Sequence, residues 1–273
     1  MIYKKLKDKI IVLKEDFNIE HILFCGQIFA FEENTDGSFS VYSGREKCIV
    51  CECEDCYEII TDNAEYFENF FDLKTDYALI KKELGKHEML KKPIEFGHGI
   101  RILKNNLFEM VISFIISANN NIKRIQKIIN SIKEACGEKD KLFPTREKLM
   151  NLTESDFLKV GCGYRAKYLY KVLRQIDEKM LEDYRCLETE DLRKKLIDLA
   201  GVGPKVADCI LLFGYGRQDV FPVDTWIAQM YNKYFDKNES NRINIRRKLI
   251  ETFGDLSGYA QQYLFYFQRS AGN

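Results

Sequence analysis

The chain has 273 residues, 45% of them hydrophobic and 13% aromatic, enough apolar side chain to bury one sizeable core or two. It holds nowhere the roughly eighteen consecutive apolar residues of a spanning helix, and its start, MIYKKLKDK, lacks the apolar run of a secretory leader, so a cytoplasmic protein is expected rather than a membrane or exported one. The net charge of zero hides a division: residues 1–100 carry 13 basic and 20 acidic side chains, net −7, whereas residues 101–273 carry 29 and 22, net +7, so the second part is the one suited to a polyanion.

Taken in order, residues 1–60 alternate apolar and polar side chains in short runs. They predict strands over 10–13, 27–31, 39–42 and 47–53, with a turn at Asp36-Gly37. Such short connections build an antiparallel, strongly twisted sheet. The nine cysteines are odd in number, which points to free thiols in a reducing compartment. Cys48, Cys51, Cys53 and Cys56 crowd into CIVCECEDC, but the spacing fits no zinc or cluster pattern and strand alternation turns Cys51 and Cys53 to one face, so no metal is expected. The run EYFENFFDLKTDYALIKKEL then reads as a loop and an amphipathic helix with Leu79, Ile80 and Leu84 inward.

From Asn105 onward the apolar period is helical: 105–117, 121–136 stopped at Gly137, 146–151, 154–160, 164–180, 191–199, 205–213, 225–235, 240–253 stopped at Gly254, and 257–270. The fold class is therefore α+β. A sheet domain over residues 1–98 is followed by an all-helical domain over 99–273, and residues 88–104 join them.

Two of these helices flank Gly201-Val202-Gly203-Pro204. The glycines permit a tight reversal and proline suits the first turn of the helix that follows. Backbone N–H groups of Gly201, Val202 and Gly203 lie at a helix N-terminus, where a phosphate is favoured; an ordinary αα turn fits the same glycines. Lys205 opens the second helix and Asp224 caps a later one, so an amine and a carboxylate can share one cleft.

The string L-A-G-V-G-P-K-V-A-D-C followed by F-P-V-D resembles the helix-hairpin-helix DNA glycosylases with a Gly/Pro-rich loop and terminal Asp, and within them the 8-oxoguanine DNA glycosylases. That resemblance covers nearly the whole chain. It implies removal of 8-oxoguanine from double-stranded DNA, and the hairpin lysine implies nicking of the strand as well. Lys205 would be the nucleophile, attacking the sugar carbon and leaving an imine on which β-elimination proceeds. An ordinary lysine is charged at neutral pH, so the site has to favour the free amine. Asp224 would stabilise positive charge developing on the sugar.

Reaching that carbon requires the nucleotide to leave the helix, at a cost of roughly a few kcal/mol. The resemblance implies a base pocket of Gly26, Phe114, Cys209, Gln261 and Phe265, with Cys209 and Phe265 sandwiching the purine and Gln261 reading its Watson–Crick edge. Guanine N7 accepts a hydrogen bond whereas the oxidised base carries N7–H, so a carbonyl at Gly26 would reject guanine. Read without the resemblance, Gly26 is a turn glycine and Phe265 a core aromatic. Tyr164 would be the wedge, and Asn119, Arg124 and Arg165 would hold the orphaned base, cytosine in preference to adenine. A monomer is expected, with no metal or organic cofactor needed for the chemistry and room for a monovalent cation to bridge hairpin carbonyls and phosphate.

One position departs from the family pattern, in which a histidine two residues after the aspartate contacts a phosphate. Here it is Trp226, with one N–H donor and no charge. Two rival readings stay open: a glycosylase of the same superfamily for another damaged base, and a non-catalytic DNA-binding module with the same hairpin.

Overall fold

The computed structural model describes residues 3–271. Six strands, β1 (Tyr3–Lys5), β2 (Lys9–Leu13), β3 (Phe31–Glu33), β4 (Phe39–Ser43), β5 (Glu46–Glu52) and β6 (Cys56–Ile60), form one antiparallel sheet in the order β1-β2-β6-β5-β4-β3. Strand alternation sends Ile10, Val12, Val41, Val50, Tyr57 and Ile59 to one face, and the register pairs Ile10 and Val50 with Ile59 and Val12 with Tyr57. Helices α1 (Ile19–Phe24) and α2 (Ala64–Phe70) cover that face with Ile22, Leu23, Phe67 and Phe70.

The remaining helices are α3 (Tyr77–Leu84), α4 (Glu88–Phe96), α5 (Leu107–Ser117), α6 (Ile122–Ala135), α7 (Arg146–Met150), α8 (Glu154–Lys159), α9 (Ala166–Gln175), α10 (Glu178–Asp183), α11 (Thr189–Ile197), α12 (Pro204–Phe213), α13 (Thr225–Tyr234), α14 (Arg242–Phe253) and α15 (Ser257–Ala271). Every residue of α5 from Leu107 to Ile116 is buried, so this helix is the axis of a second core that the others surround.

Several elements differ from the sequence expectation, each for a local reason. Residues 27–29 stay outside the sheet and the β3 pairing begins only where the Ala30 carbonyl accepts from Tyr42 N–H at 2.9 Å, because the chain turns at Gly26 (φ +88°) and Gln27 buries its amide against other backbone. Residues 64–70 are helical rather than loop, since the Asn63 side chain accepts from the Tyr66 N–H and caps the first turn. In α3 the inward residues are Tyr77 and Leu84, whereas Leu79, expected inward, is 64% exposed. The helix expected over 164–180 is a 3-10 turn at Gly163–Arg165 followed by α9 and α10, because Asp177 caps a fresh start by accepting from Met180 N–H at 2.7 Å. Cys48 faces the core while Cys53 is exposed, and among the described residues no group of three or more His, Cys, Asp or Glu side chains is placed to hold a metal ion.

Where the cores meet, the fully buried Arg101 donates through Nε to Phe71 O at 2.9 Å, through Nη1 to Asp16 O at 3.3 Å, and through Nη2 to the carbonyls of Asp72 and Thr75. Its guanidinium lies 4.0 Å from the Tyr77 ring centre. The carbonyls of Phe71, Asp72 and Thr75 end α2 and the turn after it, so the cation neutralises a helix C-terminus that the fold has buried.

A second contact between the domains is titratable. Buried Glu109 of α5 accepts from the Gly44 N–H in the β4–β5 turn at 2.7 Å, and burial pushes its carboxyl up to about 7, with Gly44 and Lys133 opposing in part. A folded pKa raised above the unfolded value gives stability that is complete below about 4.5 and lost as pH rises through about 7. We therefore expect the contribution of Glu109 to fall by on the order of 1–3 kcal/mol between pH 5 and pH 8. Urea denaturation at the two pH values should show Glu109→Gln with a smaller pH dependence than the unmutated chain.

Candidate active site

The hairpin between α11 and α12 begins where Val202 N–H returns to Leu199 O at 3.1 Å. Gly201 has φ +84°, and a Cβ there would stand 2.7 Å from Cβ of Tyr168, so both backbone and packing require glycine. Gly203 takes the N-cap of α12 with Pro204 next, leaving the first backbone donors of that helix facing outward. The orientation of α12 is fixed from behind: Asp208, 2% exposed, accepts from Arg193 Nε of α11 at 2.8 Å and from Arg246 Nε of α14 at 3.0 Å. Arg246 also reaches Glu190 at 2.8 Å. Three helices are thus tied around the segment that carries Lys205.

Lys205 is half-buried, with Nζ 5.8 Å from the centre of the Phe114 ring. Phe114 stacks on Phe213 at 5.6 Å and meets Phe29 edge-on at 5.8 Å, so an aromatic wall positions the amine. Cys209, one turn on, is buried; burial pushes its thiol up and the neighbouring Lys205 offsets this only in part. Asp224 caps α13 by accepting from Ile227 N–H at 2.9 Å through Oδ1.

The opposite wall comes from α15 and from the turn after α1. Gln262 donates to the Cys25 carbonyl at 3.0 Å, and Arg269 donates to the Phe24 carbonyl. Between these anchored peptide units stands Gly26, where a Cβ would lie 2.9 Å from Arg269 Nη1 and 3.2 Å from the Phe265 ring. Gly26, Phe114, Lys205, Cys209, Asp224, Gln261 and Phe265 line one cavity of about 30 Å³, with Phe213, Pro222 and Gln262 completing it. That is room for little more than a water molecule. Gln261 is buried and its Oε1 has no hydrogen-bond partner. The cavity adjoins a cleft of about 650 Å³ that shares Gly26, Phe114, Lys205, Asp224 and Phe265 and adds Asn120, Lys123, Trp226 and Arg269. Gln262 and Arg269 are not foreseen from the sequence; Arg269 has a signal there, since it continues the Gln261, Phe265 stripe by one further helical turn, whereas Gln262 lies off that stripe.

The residues read as wedge and partner-base contacts divide into two kinds. Tyr164 is 54% exposed, its hydroxyl donating to Ala118 O at 3.2 Å, and Asn119 (φ +51°) and Arg124 are exposed. Arg165, 3% exposed, instead donates through Nε to Ala118 O at 2.9 Å and through Nη2 to Asn119 O at 2.9 Å. It ties the 118–119 turn to the 163–165 turn and so brings the two expected segments together.

Comparison with known proteins bears on this arrangement. The family described as 8-oxoguanine DNA glycosylase, N-terminal domain, matches residues 9–111, and HhH-GPD superfamily base excision DNA repair protein matches residues 112–254. A probable N-glycosylase/DNA lyase of Methanothermobacter thermautotrophicus is 30% identical over 236 residues, 76% of this chain and 75% of the relative. The N-glycosylase/DNA lyase of Saccharomyces cerevisiae is 32% identical over 214 residues, 61% of this chain and 56% of the relative. The Clostridium acetobutylicum 8-oxoguanine glycosylase/lyase, solved with double-stranded DNA containing cytosine opposite 8-oxoG, superposes with a TM-score of 0.92 at 37% identity, covering 100% of this chain and 99% of that one.

The Gly26 geometry generates a prediction of its own. Gly26→Ala places a methyl group in a left-handed backbone position against Phe265 and Arg269, at an expected stability cost of about 1–3 kcal/mol. Urea denaturation measures it, and a loss below about 0.3 kcal/mol would show that the turn is not held as described.

Proposed function

Because the chain belongs to the HhH-GPD superfamily of base excision DNA repair proteins and to its 8-oxoguanine DNA glycosylase/lyase branch, we propose that it flips 8-oxoguanine out of duplex DNA, releases it through a Schiff base on Lys205, and nicks the strand by β-elimination. The observation that carries the proposal is the single cavity shared by Gly26, Lys205, Cys209, Asp224, Gln261 and Phe265, contributed by segments far apart in sequence.

In this reading the Lys205 amine adds to the anomeric carbon as the glycosidic bond breaks, and the base departs with a proton. Asp224, held by its capping bond to Ile227, faces the sugar and stabilises the positive charge developing there. The sugar ring then opens to the imine, which draws electrons as a proton leaves the adjacent carbon and the 3′ phosphate is expelled. The base enters between Cys209 and Phe265. Gln261 Oε1, buried and unpaired in the empty pocket, gains the N1–H of the purine, removing a desolvation cost of about 1–3 kcal/mol. The Gly26 carbonyl takes N7–H. Tyr164 fills the vacated space, and Asn119, Arg124 and Arg165 hold the estranged cytosine. Phosphates on either side rest on Gly201, Val202 and Gly203, within the domain that carries net +7.

We propose further that residues 1–98 and 99–273 are the two working units, that the protein acts as a monomer in the cytoplasm, and that neither metal nor organic cofactor takes part in the chemistry. No described helix is long and apolar enough to cross a membrane.

Two experiments test the scheme. Lys205→Gln should abolish both base release and borohydride trapping on 8-oxoguanine duplex while retaining affinity for it, because DNA contact is spread over backbone amides and other side chains; a trapped adduct in that variant would exclude Lys205 as nucleophile. For the partner base, single-turnover cleavage should favour cytosine over adenine by roughly ten- to a hundredfold, since a wrong partner leaves donors of Arg124, exposed in the free protein and covered once DNA is bound, unpaired. Arg124→Ala should narrow the ratio, and equal rates on the two duplexes in the unmutated enzyme would show that the arginines do not read the partner.

A further inference from the structure

The two segments that build the wall facing Lys205 are joined by a cation to which the recognition scheme above assigns no task. Arg269 lines the cleft beside Gly26, Lys205 and Asp224. Its Nη2 is engaged by the Phe24 carbonyl, its guanidinium carbon lies 5.2 Å from the centre of the Phe265 ring, and Nη1 lies 2.9 Å from the point a Gly26 Cβ would occupy. Nη1 is buried and has no hydrogen-bond partner. A charged donor without an acceptor is costly inside a protein, and such groups occur chiefly where a ligand supplies the missing atom.

We propose that Arg269 Nη1 donates to the C8 oxygen of the oxidised base, which makes Arg269 a specificity-determining residue; this rests on the Gly26 carbonyl taking N7–H. On 8-oxoguanine, N7–H and C8=O are adjacent, a donor beside an acceptor. Arg269 Nη1 lies 2.9 Å from the point a Cβ would occupy on Gly26, the residue whose carbonyl takes N7–H in this scheme, so the pair offers a donor beside an acceptor. Guanine offers the opposite at N7 and only a carbon-bound hydrogen at C8, so it meets both groups unfavourably. Because Nη2 is pinned to Phe24, the guanidinium does not slide across to bond N7 of guanine instead.

The closed cavity explains why Nη1 is covered before the base arrives. The Phe265 ring lies 3.2 Å from the same Gly26 position, and a cavity of about 30 Å³ admits a purine only when that ring moves aside. Movement of Phe265 uncovers Nη1 at the moment the C8 oxygen reaches it.

A double-substitution cycle on single-turnover base excision tests the contact. Arg269→Met removes the donor and keeps an unbranched side chain over Phe265, while 8-thioguanine keeps N7–H and replaces the C8 oxygen with a poorer acceptor. Sulfur should slow the unmutated enzyme about tenfold and the Arg269→Met enzyme by about twofold or less, with Arg269→Lys restoring part of both the rate and the oxygen preference. An oxygen-to-sulfur ratio that is the same in both enzymes overturns the proposal. Should Arg269→Met fail to fold, Arg269→Leu, which also lacks a donor, carries the same comparison. If the unmutated enzyme excised guanine as fast as 8-oxoguanine, the reading of Gly26 would fail; discrimination kept without oxygen coupling sinks the role of Arg269 alone.

Discussion

One side-chain amide sets where the sheet domain meets the catalytic one. Gln27 is fully buried, donates to the carbonyls of Ile22 at 3.0 Å and Arg101 at 2.7 Å, and accepts from Leu103 N–H at 2.8 Å. It therefore fastens the turn that carries Gly26 to the segment crossing between the domains, and Arg101 fastens that segment in turn to the end of α2. The arrangement makes the position of a single carbonyl a property of both cores. Loosening any of these bonds leaves a buried polar group without a partner, at about 1–3 kcal/mol each, which is why a pocket wall can be built from an irregular turn and still be rigid.

The lysine side of the cavity is built by a different device. There the fixing element is electrostatic, a buried carboxylate between two arginines drawn from α11 and α14. An unpaired Asp208 would be strongly destabilising, so the helices are kept in register with one another and with the hairpin between the first two. Phe114, Phe213 and Phe29 then form an apolar backing beside the amine. Phe29 and Phe114 of this backing also line the open cleft, which carries the cations Lys123, Lys205 and Arg269, so apolar wall and positive charge meet at Lys205.

How much of this was legible in the sequence follows from the range of each interaction. Helices from α5 onward announced themselves by apolar period, apart from the break between α9 and α10, and the hairpin by its glycines and proline, because both are local signals. Lys205, Asp224 and the other residues that share their cavity were reachable through spacing and resemblance to a family. What escaped were features decided at a distance. Leu79 turned outward because Tyr77 had a buried partner in Arg101, twenty-odd residues on, and nothing near Leu79 says so. Residues 27–29 have the composition of a strand yet serve as a clamp. Arg165 reads as a base contact and in the empty protein spends its donors on carbonyls of the Ala118–Asn119 turn, a partner that only the tertiary fold supplies.

The near absence of space between Cys209 and Phe265 has a consequence for selectivity. Opening the pocket costs the same free energy whichever purine has been flipped, so closure by itself lowers the rate for guanine and 8-oxoguanine by one common factor. A uniform penalty cannot distinguish two ligands; only contacts that differ between them can. Closure acts instead on dwell time. On the proposed mechanism, an undamaged base reaching the site finds no ready cavity to linger in, and the enzyme returns to the duplex before the amine of Lys205 has a sugar carbon in reach. The tight pocket thus governs how fast sound DNA is passed over, while a few polar atoms at its edge decide what is cut.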